Sequence, residues 1–403
     1  MFDAMKGWSS AQKHVVAASY LGWTLDAFDF FLMVFVIKDV AHEFGAGKSD
    51  IAWATTLTLA LRPLGAFIFG RLADRFGRRP VLMADVALYS LFGFATAFSP
   101  NLTAFLVIRA LFGIAMCGEW GIGASLTMET VKPEARGFVS GLLQSGYPTG
   151  YLLASIVYRN FYDLLHWRAM FMVGIAPALL ILYIRRHVPE SPGWSREHAR
   201  TGTVLNVLRK HWMLALYAIV LMTAFNFFSH GTQDAYPTFL QVQHGFDAHT
   251  TGNIAIIYNI GAILGGWTFG LWSQSFGRRR TIVLAALLAI PVTWLWAYSE
   301  TAPMLAFGAF LMQFFVQGAW GVIPAHLNEL SPADARGTFP GTVYQLGNFI
   351  ASYNLVLQTK IAASQGENYS LALADVAVTA AIVIALLTSL GREARDSDLA
   401  RPG

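Results

Sequence analysis

Apolar residues gather along the chain into twelve long runs parted by polar stretches. The runs lie near 14–37, 51–69, 81–99, 102–128, 137–158, 168–184, 212–240, 251–272, 281–299, 303–328, 338–358 and 371–390. A helix needs roughly 20 mostly apolar residues to cross the hydrocarbon core of a bilayer. The pattern therefore predicts twelve membrane-spanning helices, with ends placed to about 3 residues. The first run is too long, and too far from a cleavage-like site, to read as a removable leader. The charged stretch from Arg185 to Trp212 is long enough to bridge two bundles and too short for another domain. The expected division is a six-helix bundle over 1–184, a cytoplasmic linker over 185–211, and a second six-helix bundle with a short tail over 212–403.

Composition supports a chain solvated by lipid. It is 55% hydrophobic and only 13% charged, against about 25% charge in soluble domains. The basic residues set its orientation. Of 28 Lys and Arg, 21 fall on one side if both termini are cytoplasmic, 5 fall on the other, and Arg62 and Arg109 lie within spans. Positive charge held inside fixes that topology. The basic residues form no single patch, so nucleic acid is not an expected partner. Cys117 is the lone cysteine, which excludes a disulfide framework. Neither a Walker-type phosphate loop nor metal-ligand spacing occurs, so no cofactor, metal or enzymatic activity is expected.

The two bundles share a register 200 residues apart. Gly70 and Gly77-Arg78-Arg79 return as Gly270 and Gly277-Arg278-Arg279. Gly118, Trp120 and Gly121 return as Gly318, Trp320 and Gly321, and Glu129 with Arg136-Gly137 returns as Glu329 with Arg336-Gly337. Parallel repeats of this kind build transporters whose site lies between the halves at the membrane midplane. One position departs: Gln274 stands where the first copy has Asp74.

Ionisable groups inside spans are costly unless paired or wetted. Here they are Asp26, Asp29, Arg62, Arg109, Glu119, His230 and Asp234. Asp29 lies ~12 Å and Arg109 ~10 Å from the outer ends of their runs, at 1.5 Å per residue. That level match makes Asp29–Arg109 the expected pair. Asp26 and Arg62 match each other at ~16 Å, although Arg62-Pro63 interrupts its run and the Arg can serve the backbone there. A carboxylate beside Arg stays ionised, and one separated from it in a dry site takes a proton. Each pair is thus a proton sensor or a permanent structural contact.

The seventh run holds Asn226, Ser229, His230, Gln233 and Asp234 at i, i+3, i+4, i+7 and i+8, a polar stripe along one helix side. Such a stripe lines a wet cavity or knits helices together. Pro237 should loosen the turn that follows. Gln144, Tyr147 and Tyr151 form a further stripe, as do Tyr344, Gln345, Asn348 and Ser352, each able to bond a carboxylate or a neighbouring helix.

Three stretches carry a resemblance. Gly70-Arg71-Leu72-Ala73-Asp74-Arg75-Phe76-Gly77-Arg78-Arg79 resembles the loop 2–3 signature of the major facilitator superfamily. Val188-Pro189-Glu190-Ser191-Pro192 resembles the motif that closes the first half in its sugar-porter-like branches. The stripe from Asn226 to Thr238 is similar to the helix 7 motif of Jen-type lactate and pyruvate permeases, which belong with the sialate:proton symporters. The resemblance implies an all-α membrane protein with twelve transmembrane helices in two six-helix pseudo-symmetric bundles. It implies a cytoplasmic latch built on Asp74, Arg75 and Arg78 with Glu129 and Arg136, where the arginines alone would enforce topology. The resemblance implies substrate contacts from Asn226, Ser229, His230 and Gln233, and the residue readings add Arg109, Gln144, Tyr147, Tyr344 and Asn348 as candidates. Proton coupling is implied for Asp234 and Asp29, and the buried acids Asp26 and Glu119 are further candidates.

The expected function is import of a small monocarboxylate with a proton, by alternating access. A larger sialic or aromatic acid is the alternative, and an exporter or a transport-fold nutrient sensor fits less well. The partners expected are an organic acid anion, a proton as coupling ion, and the lipid bilayer. A monomer in a bacterial inner membrane is expected.

Overall fold

The computed structural model describes residues 8–46, 48–191, 209–332, 339–366 and 368–393. Among them there is no strand, and each of the twelve runs is helical. Most of the expected linker, 192–208, lies outside the described residues.

Helix α1 is Ser10–Glu43, longer than its run because a capping box between Ser9 and Gln12 extends it beyond the apolar stretch. Helix α2 is Lys48–Ala60 continued by Arg62–Phe76. It breaks where Pro63 removes a backbone donor. Helix α3 is Arg78–Thr96, and α4 is Leu102–Ala115 continued by Cys117–Thr130. Helix α5 comprises Arg136–Gln144 and the following turns from Gly146. His166, with φ 51°, separates it from α6, His166–His187.

The second half repeats this order. Helix α7 is Trp212–Gln233 and Tyr236–Val242, and it breaks beside Pro237 as the sequence predicts. Helices α8 and α9 are Ala248–Phe276 and Arg278–Tyr298. Helix α10 is Ala302–Trp320 and Ile323–Leu330, α11 is Phe339–Ala351 and Asn354–Ser364, and α12 is Tyr369–Leu390.

Among the described residues, nine segments are long and apolar enough to span a bilayer. The runs of α3, α5 and α11 fall short for a chemical reason. Helix α3 carries Arg78, Arg79 and Asp85, while α5 and α11 carry buried Gln144, Gln345 and Asn348. A helix shielded by its neighbours need not be apolar all round. Exposed large apolar side chains lie on α3 (Leu88, Leu91), α6 (Leu179, Leu182), α9 (Leu287, Trp294) and α12 (Leu386, Leu390). These outer helices present the lipid-facing surface. The halves meet where α5 packs on α8 and α2 on α11, with α4 and α5 touching α10 near one end. Close approach is possible because Gly141 faces Gly266: a Cβ on Gly141 would stand 2.1 Å from the Gly266 carbonyl oxygen.

At the opposite end from the arginines, Glu43 closes α1 onto α6 through Arg168 and Trp167. Partial burial raises the pKa of Glu43, but the hydrogen bonds from Arg168 and Trp167 outweigh it and hold the carboxyl below its usual range.

Candidate functional site

The first half buries its charges at the packing centre of α1–α4. Arg109 Nη1 stands 3.8 Å from Asp29 Oδ2, both side chains being at most 1% exposed. The guanidinium also lies over the rings of Phe112 and Phe171, at 4.2 and 5.6 Å from their centres, a cation–π environment. The pair matched by depth therefore meets.

Asp26 and Arg62 do not pair. Arg62 Nη2 donates to Met116 Sδ at 3.1 Å and its guanidinium sits 5.0 Å from the Phe30 ring centre. Both carboxyl oxygens of Asp26 lack a hydrogen-bond partner. Equal depth brings them within electrostatic reach of each other but not to an ion-pair contact. Arg62 also lies in the electrostatic reach of Tyr344 on α11 and Tyr147 on α5. It is thus the cation at the junction of the halves. Arg109, expected to contact substrate, is enclosed within the first half. Glu119 is buried with neither carboxyl oxygen bonded.

The α7 stripe splits. Ser229 and Gln233 bond each other at 3.0 Å and reach α10, where Gln313 Oε1 accepts from Gln233 at 3.2 Å and Gln317 donates to Ser229 at 3.2 Å. Gln313 also donates to Thr232 Oγ1 at 2.9 Å. Asn226 donates back to Met222 O at 2.8 Å. These residues knit α7 to α10 or to its own turn in this state. His230 and Asp234 form the other part, with Nδ1 and Oδ2 3.0 Å apart. Asp234 remains 29% exposed and lies in the electrostatic reach of Tyr147, Tyr151 and Tyr258. His230, expected to contact substrate, and Asp234, expected to couple the proton, are thus in direct contact.

An aromatic layer lies between these groups and the arginine-rich end. Tyr344 packs between Trp120 (4.6 Å) and Trp320 (5.4 Å), the two copies of the internal repeat. Trp120 Nε1 donates to Gln144 Oε1 at 3.2 Å, and Trp320 Nε1 to Phe225 O at 3.1 Å. Tyr147 stacks on Trp23, and Tyr151 stacks on Phe31 while accepting from the Tyr258 hydroxyl at 3.3 Å. Asn348 donates to Gln345 on its own helix. The residues at the junction are thus Arg62, Tyr147, Tyr151, Tyr258, Tyr344 and the His230–Asp234 unit. The depth argument missed Arg62 as a junction residue. It also missed Gln313 and Gln317, whose signal is two amides one turn apart in an apolar run.

At the arginine-rich end the repeat becomes structure. Gly77 and Gly277 adopt φ 105° and 97°, a region open to glycine, and so turn the chain into α3 and α9. The free N–H groups of those first turns need acceptors. Glu190 accepts from the Arg78 and Arg79 amides at 2.8 and 3.2 Å. Glu393 does the same for Arg278 and Arg279 at 3.3 and 3.1 Å. Arg78 bridges Asp74 (3.1 Å) and Glu129 (3.4 Å), while Arg278 bridges Gln274 (3.0 Å) and Glu329 (2.9 Å).

Gln274 also accepts from the Gly137 amide of the first half at 3.1 Å. An amide oxygen serves this contact, so losing the acid does not abolish it. Ser140 Oγ accepts from the Ala325 amide at 3.0 Å, and Ser125 Oγ donates to Asn328 Oδ1 at 3.4 Å. Together these contacts join the halves at this end. Arg136 is buried and donates to Met128 O at 3.2 Å. Arg75, expected in the latch, is exposed with its guanidinium 5.2 Å from the Phe76 ring centre. Glu393→Ala should lower stability by about 1 kcal/mol through the lost cap. A lower thermal midpoint in detergent, partly restored in Glu393→Gln, checks this.

A two-halved helical bundle with buried charges and a polar, aromatic junction defines a membrane transporter, not an enzyme. The model of the Major Facilitator Superfamily matches residues 19–247, and that of sugar (and other) transporters matches 213–391. The chain belongs to the Major Facilitator Superfamily. It is 29% identical over 370 residues to a carboxylic acid transporter protein homolog of Saccharomyces cerevisiae, covering 85% of this chain and 60% of that one. It is 25% identical to the sialic acid transporter NanX of Escherichia coli, over 93% of each chain. It is 24% identical to a putative niacin/nicotinamide transporter of Bacillus subtilis, over 96% of this chain and 98% of that one. The fold is that of the proton:xylose symporter XylE, with TM-score 0.75 at 17% identity, covering 97% of this chain and 98% of that one. The chain is therefore a multi-pass membrane transporter whose relatives carry small organic acids.

Proposed function

We propose that the chain imports a small monocarboxylate together with a proton. The observation that supports this most is Arg62, a buried cation without a contact ion pair among the described residues, in the electrostatic reach of Tyr344 and Tyr147 at the junction of the halves as well as of Asp26. A substrate carboxylate would supply the missing partner, and charge-assisted hydrogen bonds are the strong ones. The phenols of Tyr147, Tyr151 and Tyr344 would complete its hydrogen bonds, with His230 beside them. The names of relatives that carry carboxylic acids, sialic acid and niacin favour the same class.

Coupling would run through Asp29–Arg109. At 3.8 Å the contact is long enough for a proton on Asp29 to release it, and release would free α1 to move against α4. Asp234, ionised, would repel the substrate anion unless His230 or a proton neutralises it. The halves, 1–184 and 212–403, would rock about the junction, with both termini cytoplasmic in a bacterial inner membrane.

A larger aromatic acid is the second reading. Trp120, Trp320, Tyr147 and Tyr344 give the junction ring faces on which a planar acid would stack.

The test is uptake of labelled lactate, pyruvate, nicotinate and sialic acid into vesicles, with and without an inward proton gradient. Accumulation of one acid, abolished by a protonophore, is expected. Sodium-driven uptake that ignores the protonophore would overturn proton coupling, and competition by xylose would overturn the acid preference.

A further inference from the structure

Two buried polar side chains of the first half meet at one small space without a protein partner. Glu119 on α4 is 1% exposed, and neither of its carboxyl oxygens has a hydrogen-bond partner among the described residues. Trp23 on α1 is 3% exposed, and its indole N–H has no acceptor there either. Both line a cavity of about 10 Å³, shared with Ser19, Trp120 and Gly123. Ser19 Oγ accepts from Thr127 Oγ1 at 3.0 Å, which leaves its own hydrogen to donate. The volume is at the lower limit for a single water.

The chemistry of the lining selects the occupant. A carboxylate calls for donors, while an indole N–H and a hydroxyl hydrogen call for an acceptor. One water answers all three. It donates to Glu119 and accepts from Trp23 and Ser19, the usual three bonds of a buried water. A sodium ion accepts no hydrogen bond and would leave the indole unmet. No group of three His, Cys, Asp or Glu among the described residues converges to hold a metal. Glycines shape the space: a Cβ on Gly22 would stand 2.4 Å from Glu119 Oε1. One on Gly123 would stand 3.2 Å from the same oxygen and 3.4 Å from Ser19 Oγ.

Two walls of this cavity belong to the aromatic layer at the junction. Trp23 stacks on Tyr147 at 5.3 Å, and Trp120 contacts Tyr344 at 4.6 Å. Glu119 lies about 16 Å from the arginine-rich end of α4, against about 28 Å for Asp29 along α1. We propose that Glu119, with one water held by Trp23 and Ser19, is a proton-binding site on the arginine-rich side of Asp29. This deepens the proton-coupled reading above and rests on it for the use of the site in transport. A proton reaching the water passes to a Glu119 oxygen while the water keeps two of its three hydrogens, and release reverses the step. The other titratable groups in electrostatic reach of Glu119 are Asp26 on α1 and Asp85 and Tyr89 on α3. Asp85 is turned to the backbone amides of Gly118 and Glu119 and does not line the cavity.

Infrared difference spectra of the protein in lipid vesicles, taken across the neutral pH range in H2O and D2O, test the site without any substrate. The wild type should show a titrating, exchangeable protonated-carboxyl stretch that Glu119→Gln removes. Trp23→Phe takes away one bond to the water, and Gly123→Ala puts a methyl group into its space. Each should keep the band and shift its frequency. A band left intact by Glu119→Gln, a band unshifted in both other variants, or a wild-type band removed by sodium chloride but not choline chloride overturns the proposal. Should Glu119→Gln not fold, the frequency shifts in the other two variants decide. Trp23→Phe should also slow proton-driven uptake of the accumulated acid several-fold while counterflow exchange persists; uptake at the wild-type rate takes the site out of the transport path. Absence of the Glu119 band would overturn this site and leave proton-driven uptake standing. Sodium-driven uptake beside an intact band would overturn the coupling and leave the site standing.

Discussion

Arg62→Gln should weaken binding of the transported acid by roughly ten- to a hundredfold. A hydrogen bond to a charged group contributes about 1.5–3 kcal/mol, and each 1.4 kcal/mol is about tenfold in Kd. The effect should fall mainly on binding, because among the described residues Arg62 makes no contact ion pair and buried Asp26 loses only a longer-range field. Its bond to the Met116 thioether is weak, so the thermal midpoint should fall little. Arg62→Lys keeps the charge but loses the planar fork, and should recover only part of the affinity. Arg109→Gln gives the contrast: it strands Asp29 in the interior and should lower the midpoint sharply. Calorimetric titration with the accumulated acid, beside thermal melts of both variants, separates the two. Unchanged affinity in Arg62→Gln would move the anion contact elsewhere, with His230 next.

The contrast between these arginines also marks where the sequence is legible. Most membrane spans are read from length and apolarity, which the bilayer imposes most strongly on helices that face it. The repeat at 200 residues reappears as paired Arg78–Glu129 and Arg278–Glu329 contacts, because one backbone turn recurs around Gly77 and Gly277. Depth counting placed Asp29 opposite Arg109 correctly. For Asp26 and Arg62 it found the level but no ion-pair contact, because rise along a helix says nothing about azimuth.

The α7 stripe failed for a related reason. Ser229 and Gln233 are one turn apart, as are His230 and Asp234, but the two pairs are offset by about 100°. That angle suffices to send one pair to α10 and the other to the junction. Asp85 escaped notice because it sits near the end of its run, where an acid can reach water; only the packing of α4 over it reveals its burial. Gln313 and Gln317 are uncharged and barely disturb an apolar run, yet they take half of the stripe. Glu190 belonged to a recognised motif, but its cap on α3, and that of Glu393 on α9, required the fold.

Asp29→Asn should abolish accumulation driven by a proton gradient while counterflow exchange of the same acid persists. The substitution is nearly isosteric, and its amide oxygen can still face Arg109, but it carries no proton to release. The transporter then cycles loaded without coupling. Stability provides the control. Removing one partner of a buried ion pair costs about 3–5 kcal/mol, so the single variant should melt earlier than wild type. Asp29→Asn/Arg109→Gln removes both charges and should regain much of that loss. A purely structural pair would recover coupled uptake along with stability in the double variant. A proton sensor would recover stability alone, because the titrating group is gone from both variants. Gradient-driven uptake, counterflow and thermal melting on the three proteins give the answer. Coupled accumulation by the single variant at the wild-type level would remove Asp29 from the proton path and leave Asp234, joined to His230 at 3.0 Å, as the group to replace next.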